Sequence, residues 1–215
     1  MLEALDADRL RACHCLFGGG TAMALRFGEY RESVDMDFLV SDERGYRELR
    51  TLLRGRRDLG AIIRPGLAAP ACQGEIRADQ YGIRTRVMVG ETPIKFEIVR
   101  EARIALDAPT EGDQVCGVST LSAIDMVASK LLANSDRGMD DGTFNRDLID
   151  LAMMAPAKSV LAAGFHKAEA AYGGEVSRDF ERSMDRLRNR EGWLERCMQV
   201  MEMRMREALV WQRLR

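Results

Sequence analysis

Two aspartates one residue apart, Asp35 and Asp37, follow a Gly19-Gly20-Thr21 turn with room for one short helix between them. Val34-Asp35-Met36-Asp37-Phe38-Leu39-Val40 begins with strict alternation, the pattern of a half-buried strand. Residues i and i+2 of a strand share a face, so Asp35 and Asp37 project together while Val34, Met36 and Phe38 turn to the core. Neighbouring carboxylates repel one another, and a strand that keeps them paired usually has a cation between them. Hard divalent ions take such oxygens, typically one or two carboxylates together with phosphate. The glycines let backbone approach a ligand closely, and a helix N-terminus offers free N–H groups to an anion. A phosphate cradle beside a carboxylate pair makes a nucleotide site the natural chemistry.

A third carboxylate fits the same picture. Ile94-Lys95-Phe96-Glu97-Ile98-Val99 alternates with period two, sending Ile94, Phe96 and Ile98 to the core and Lys95 and Glu97 to the other face. If this strand lies beside the first, Glu97 joins Asp35 and Asp37. Three carboxylates can hold two Mg²⁺ ions roughly 3.5–4 Å apart for in-line displacement at phosphorus. Taken singly, an Asp-x-Asp pair or a Gly-rich turn is commonplace. Their order and spacing give them weight together.

These residues need elements to hold them. Residues 2–12 read as a short amphipathic helix and residues 14–17 as an extended run into the glycines. Thr21 reads as the N-cap of a helix from Ala22 to about Phe27, stopped by Gly28. A basic helix is expected over 43–57 with Tyr46, Leu49, Leu52 and Leu53 inward, and strands over 83–89 and 94–99. From Pro109–Gly117 onward the pattern turns helical: 119–134, 143–154 stopped by Pro156, 157–172, and a long helix over 176–212 with a gap at Gly192. The boundary is placed near residue 115, giving an α/β part over 1–115 and an all-helical part over 116–215.

At 215 residues the chain is one ordinary domain, or one domain with a helical extension, and it is long enough to fold without disulfide or metal staples. Hydrophobic residues make up 46% and charged residues 31%, which excludes a disordered chain. A formal charge of −2 excludes wholesale polycation behaviour, though not a local basic patch. No apolar run reaches the length of a membrane span, and the acidic Met1–Asp6 start lacks a signal peptide's basic region, so the chain is expected in the cytoplasm. The five scattered cysteines read as reduced structural thiols, Cys13-His14-Cys15 included. His14 is expected to pack near the first strand, His166 to lie on a helix surface, and Met198, Met201 and Met205 to serve as core or interface. The basic runs 47–57 and 182–190 read as solvated helix faces, with no aromatic stacking platform beside them.

In the helical half, Ile124, Val127, Ala128 and Leu131 read as a buried stripe with Lys130 at its edge, able to extend toward a cleft. Asp147 and Asp150 fall three apart on one helical face, placed to position Lys130 or Arg137.

Gly-Gly-Thr, a short helix, Asp-x-Asp on a strand and a later strand acid resemble the polymerase-β-like nucleotidyltransferase superfamily. Ser119–Leu132, Asp136-Arg137-Gly138 and Arg146–Leu151 narrow the resemblance to the AbiEii/AbiGii-type toxin nucleotidyltransferases. The third acid is often Asp there and is Glu97 here. The resemblance implies a small mixed-sheet α/β (α+β) nucleotidyltransferase domain followed by a helical domain completing the cleft. It implies an NTP bound over Gly19, Gly20, Thr21, Lys130 and Arg137. It implies Mg²⁺ (two ions, with Mn²⁺ as a substitute) on Asp35, Asp37 and Glu97. Catalytic work is then shared by these acids with Lys130, Asp147 and Asp150. The implied reaction moves a nucleoside monophosphate onto an acceptor hydroxyl of RNA, such as tRNA, or of a protein. The implied setting is the toxin of a toxin–antitoxin pair, with a cognate antitoxin as partner and no membrane. The alternatives on the same residues are a small-molecule, aminoglycoside-type nucleotidyltransferase and a non-catalytic nucleotide-binding regulator.

Overall fold

In the computed structural model, which describes residues 1–214, the alternating segments pair into one five-stranded mixed sheet. Its strands are β1 (Leu16–Gly18), β2 (Met36–Val40), β3 (Arg77–Ala78), β4 (Gly82–Val89) and β5 (Thr92–Arg100), in the order β1-β2-β5-β4-β3. Only β2 and β5 run parallel; the other pairs are antiparallel. One face is apolar. Phe17, Phe38 and Phe96 line up across three strands with ring centroids 5.2 and 5.4 Å apart. Tyr46, Leu49 and Leu53 of helix α3 (Glu43–Leu53) belong to the same core, with Leu5, Leu10, Leu59 and Ile62. Asp42 caps α3 by accepting from the Gly45 N–H at 2.5 Å.

The chain divides into two compact units. The first comprises residues 1–22 and 34–122. It holds the sheet, α3, the short helix α1 (Ala7–Ala12) and a two-stranded ribbon of β6 (Gln114–Val115) and β7 (Val118–Ser119). The second comprises residues 23–33 and 123–215, so it is built from two separate stretches of chain. Helix α2 (Gly19–Arg26) starts in the first stretch of the first unit and ends in the second unit. Helix α4 (Ala123–Arg137) packs against α5 (Arg146–Met154), α6 (Lys158–Tyr172) and α7 (Glu175–Asn189). Helices α8 (Trp193–Val200) and α9 (Glu207–Arg213) complete a second core with Tyr30, Leu148, Ile149, Leu187 and Leu194.

Several expectations are corrected. Helix α2 begins at Gly19, whose φ of +68° turns the chain, so Thr21 lies inside the first turn and is not the cap. Strand β2 begins at Met36, which leaves Asp35 just before it and Val34 53% exposed rather than in the core. The first helix splits into a 3-10 turn at Leu2–Ala4 and α1. Helix α3 stops at Leu53 because Gly55 takes φ +75°. The long C-terminal helix is three helices, broken where Gly192 and Glu202 adopt positive φ. His14 is exposed at a turn with φ +50° instead of packed. Cys13, Cys15 and Cys197 are buried, and burial pushes the thiols of Cys13 and Cys197 up to about 11 and about 12.

Candidate active site

The sheet's second face carries the acids. Asp37 and Glu97 are register partners on the parallel pair β2 and β5. In the same row Asp37 pairs with Gly18 at the end of β1, directly before the glycine turn. Gly19 is required there: a Cβ would stand 2.5 Å from Asp37 Oδ2, and its φ of +68° is strained for any L side chain. The turn therefore fits against the Asp37 carboxylate through a gap only hydrogen fills. Gly20 and Thr21 follow in the first turn of α2, with Thr21 buried. Asp35 is exposed, just N-terminal to the strand.

Glu97 already has cationic neighbours. Its Oε1 lies 3.2 Å from Arg84 Nε, and its Oε2 lies 2.5 Å from Lys95 Nζ. Among the described residues no three His, Cys, Asp or Glu side chains are gathered as a ready-made metal cluster. The donor chemistry suits a hard divalent ion, since Asp35, Asp37 and Glu97 offer only carboxylate oxygens. The structure thus brings Asp37 and Glu97 together and leaves Asp35 at the end of the strand.

A second set of charged residues is assembled wholly within the helical unit. Lys130 is not at the edge of a stripe; it is 6% exposed, between Asp147 and Asp150. Its ammonium donates to Asp147 Oδ1 at 3.0 Å and to Asp150 Oδ2 at 2.6 Å. Arg137 grips Asp147 with two bonds, Nε to Oδ2 at 2.7 Å and Nη2 to Oδ1 at 2.9 Å. The i, i+3 spacing on α5 does present both aspartates to one side, and what they face is a buried network, not surface salt bridges.

Two members have no counterpart in the sequence reading. Tyr30 donates its hydroxyl to Asp150 Oδ1 at 2.6 Å. Arg31 forks onto the same carboxylate, Nε to Oδ1 at 2.7 Å and Nη2 to Oδ2 at 3.0 Å. Asp150 thus accepts from a lysine, a tyrosine and an arginine at once. No local pattern around Glu29–Ser33 signals this; a Tyr-Arg pair in a short link is unremarkable until the fold closes on it.

The electrostatics follow from burial set against pairing. Burial raises the carboxyls of Asp147 and Asp150, but Lys130 with Arg137 or Arg31 overcomes it and holds both well below the usual range. Burial would strip the proton from Lys130, yet Asp150 and Asp147 win and hold its ammonium above its ordinary value. Burial and the adjacent Asp150 push the Tyr30 phenol far up, so it stays a donor.

The start of α5 is fixed from its other side. Phe144 and Asn145 precede it in the left-handed region. Asn145 Oδ1 accepts from Trp193 Nε1 at 2.7 Å while its amide donates to the Gly138 carbonyl at 3.1 Å. Arg190 stacks on the Trp193 ring at 3.9 Å.

With this geometry in hand, the comparisons with known proteins bear on the whole chain. Residues 2–209 match the family model described as nucleotidyl transferase AbiEii toxin, type IV TA system. A search of the curated proteins finds no match. Among solved structures, a protein of H. pylori described as a nucleotidyltransferase is 19% identical, covering 97% of this chain and 86% of that one at a TM-score of 0.49. The nucleotidyltransferase toxin MenT4 of Mycobacterium tuberculosis H37Rv is 16% identical, covering 94% and 95% at a TM-score of 0.34. The family model spans every residue that carries the two charged sets, and the chain belongs to the AbiEii family of nucleotidyltransferase toxins.

Proposed function

We propose that this nucleotidyltransferase moves a nucleoside monophosphate from an NTP to an acceptor hydroxyl on RNA, such as tRNA, or on a protein. The observation that carries the reading is the row Gly18, Asp37, Glu97, with Gly19 turned tightly against the Asp37 carboxylate. It puts a glycine turn and two acids side by side.

Gly19, Gly20 and Thr21 receive the NTP phosphates through backbone N–H groups at the start of α2. Asp35 and Asp37 are the carboxylates that would hold Mg²⁺ or Mn²⁺, with Glu97 as the third. When bound, such an ion neutralises phosphate charge and lowers the pKa of an acceptor hydroxyl. The acids take up the hydroxyl's proton as its oxygen attacks the α-phosphorus, and pyrophosphate leaves. The resemblance assigns Lys130 and Arg137 to the nucleotide's negative charge, and within the helical unit both cations are oriented by Asp147 and Asp150. Arg137 is the more available of the two, with 39% of its side chain exposed. Tyr30 and Arg31 act as positioning residues through Asp150.

Domains in this reading follow the boundary near residue 115, with a nucleotidyltransferase part over 1–115 and a helical part over 116–215. The setting is cytoplasmic, with a cognate antitoxin as partner; no helix among the described residues is long and apolar enough to cross a membrane. The test is incubation with each α-labelled NTP, Mg²⁺ and total RNA. Label on RNA is the expected result. Label on a protein moves the acceptor, label on small molecules favours an aminoglycoside-type enzyme, and label nowhere overturns the reading.

A further inference from the structure

The row of the sheet that holds Asp37 and Glu97 does not end at them. Glu97 is the register partner of Arg84 on β4, and Arg84 is the register partner of Arg77 on β3. Five strands thus present, in order, Gly18, Asp37, Glu97, Arg84 and Arg77. With neighbouring strands about 4.8 Å apart, the row runs roughly 19 Å. Two residues along the same face, Arg86 on β4 is the register partner of Lys95 on β5. Alternation fixes the face: Ile83, Val87, Phe96 and Ile98 turn to the core, so Arg84, Arg86, Lys95 and Glu97 turn away from it. The ion pairs of Arg84 and Lys95 with Glu97 confirm that the three share a side.

This face therefore changes sign across its width. The glycine turn lies on one side of the acids. Arg77, Arg84 and Arg86 lie on the other, and Lys95 extends the strip along β5 next to Glu97. Arg84 and Lys95 are partly neutralised by Glu97, and Arg84 also by Asp79. Arg77 and Arg86 are exposed, and no carboxylate among the described residues pairs with either. A strip of guanidinium forks, with Arg77 and Arg86 lacking a carboxylate partner, is complementary in charge and geometry to the regularly spaced phosphates of a nucleic-acid strand.

Resting on the reading of the acids and glycine turn as the transfer site, we propose that Arg77, Arg84, Arg86 and Lys95 form the track for the phosphodiester backbone of an RNA acceptor. A two-substrate transfer needs its donor and acceptor on opposite sides of the acids that join them. The glycine turn serves one side, and the basic strip serves the other. This surface is distinct from the exposed arginines of α3 and of residues 182–190 that the sequence brings to notice.

The experiment uses the full chain with a labelled single-stranded RNA oligonucleotide, without NTP, and follows fluorescence anisotropy from low to high salt. The Arg77→Gln/Arg86→Gln double variant leaves every contact of Glu97 in place. It is expected to bind at least about tenfold more weakly, and its log Kd against log salt slope should fall by about 1.4, or about 0.7 per lost phosphate contact on a single strand. Arg44→Gln/Arg47→Gln on the outer face of α3 should bind as wild type does. Unchanged binding by the strip variant, equal loss by the α3 variant, or no binding by the wild-type chain overturns the proposal. So does loss of affinity for a fluorescent NTP with RNA affinity kept, which assigns the strip to the donor triphosphate. The underlying reading fails separately. If wild type labels RNA and the strip variant labels it with unchanged KM for RNA, the track is wrong and the transfer stands. If the strip variant loses RNA binding but wild type never transfers label, the track stands as an RNA surface and the transfer does not.

Discussion

Arg31 and Asp150 stand 119 residues apart in the chain and meet through two parallel hydrogen bonds, with the carboxylate wholly buried. A planar guanidinium matches both oxygens of one carboxylate with parallel bonds; an ammonium, a point charge with diverging donors, does not. Arg31→Lys should therefore lower stability by about 1–3 kcal/mol, because one oxygen of a buried charged group loses a donor. Urea denaturation followed by circular dichroism checks it. A midpoint equal to wild type would show that Lys130 and Tyr30 already satisfy Asp150.

Lys130 carries a larger expectation. From sequence alone its removal should affect turnover much more than stability, since the side chain was placed at a stripe's edge. Buried between two aspartates, it is also structural. Breaking a buried pair by removing one partner typically costs about 3–5 kcal/mol, since the charge left behind is uncompensated. Lys130→Met should unfold at clearly lower urea and should also fail to transfer nucleotide when assayed where it is folded. Near wild-type turnover would remove Lys130 from the proposed site.

The pH dependence has a definite sign on both sides. Asp147 and Asp150 have carboxyls held below their ordinary values, so their contribution is present above the unfolded value near 3.9 and is lost as pH falls through the folded ones. Lys130 is held above its ordinary value, so its contribution is present below about 10.4 and is lost as pH rises through the folded one. Urea midpoints should be level from about pH 5 to 9 and decline on either side. Midpoints that climb below pH 4 would contradict the network.

Gly19→Ala sets a Cβ against Asp37 and forces an unfavourable φ. A cost of about 1–3 kcal/mol is expected, together with loss of transfer. Thermal melts and label transfer measure the two effects independently.

Asp37→Asn keeps the shape of the side chain and removes its charge. Transfer should vanish while the melting temperature stays within a few degrees of wild type, since neighbouring carboxylates repel without a cation. A large fall in melting temperature would make the aspartate structural.

The acids on the sheet were legible from residue pattern. Alternation at 36–40 and 94–99 specifies which side chains share a face, and the glycines between β1 and α2 mark where backbone must come close. Pairing of β2 with β5 was an assumption that the parallel register bears out. The helical half was legible only in part. The spacing of Asp147 and Asp150 gave their common direction, but helical spacing cannot tell a solvated face from one buried by a distant segment. Tyr30 and Arg31 were invisible for the same reason: their partner is contributed by tertiary structure, with no periodicity to announce it. Lys95 and Arg84 were readable as strand positions, yet their closeness to Glu97 depends on which strands neighbour each other.

The helical unit's use of residues 23–33 has a consequence for how the protein is born. Tyr30 and Arg31 leave the ribosome long before Asp150 does. At typical synthesis rates the wait is on the order of ten seconds. Throughout that interval the guanidinium and the phenol lack the Asp150 carboxylate, while the sheet's strands through Arg100 emerge and can pair. The second core closes last, by capturing an early segment across a loop of more than a hundred residues, a contact of high sequence separation and so a slow one. A nascent or clipped chain lacking α5 would thus carry the sheet's acids but no Asp150 to receive Tyr30 and Arg31, a form in which the toxin is made but not yet assembled.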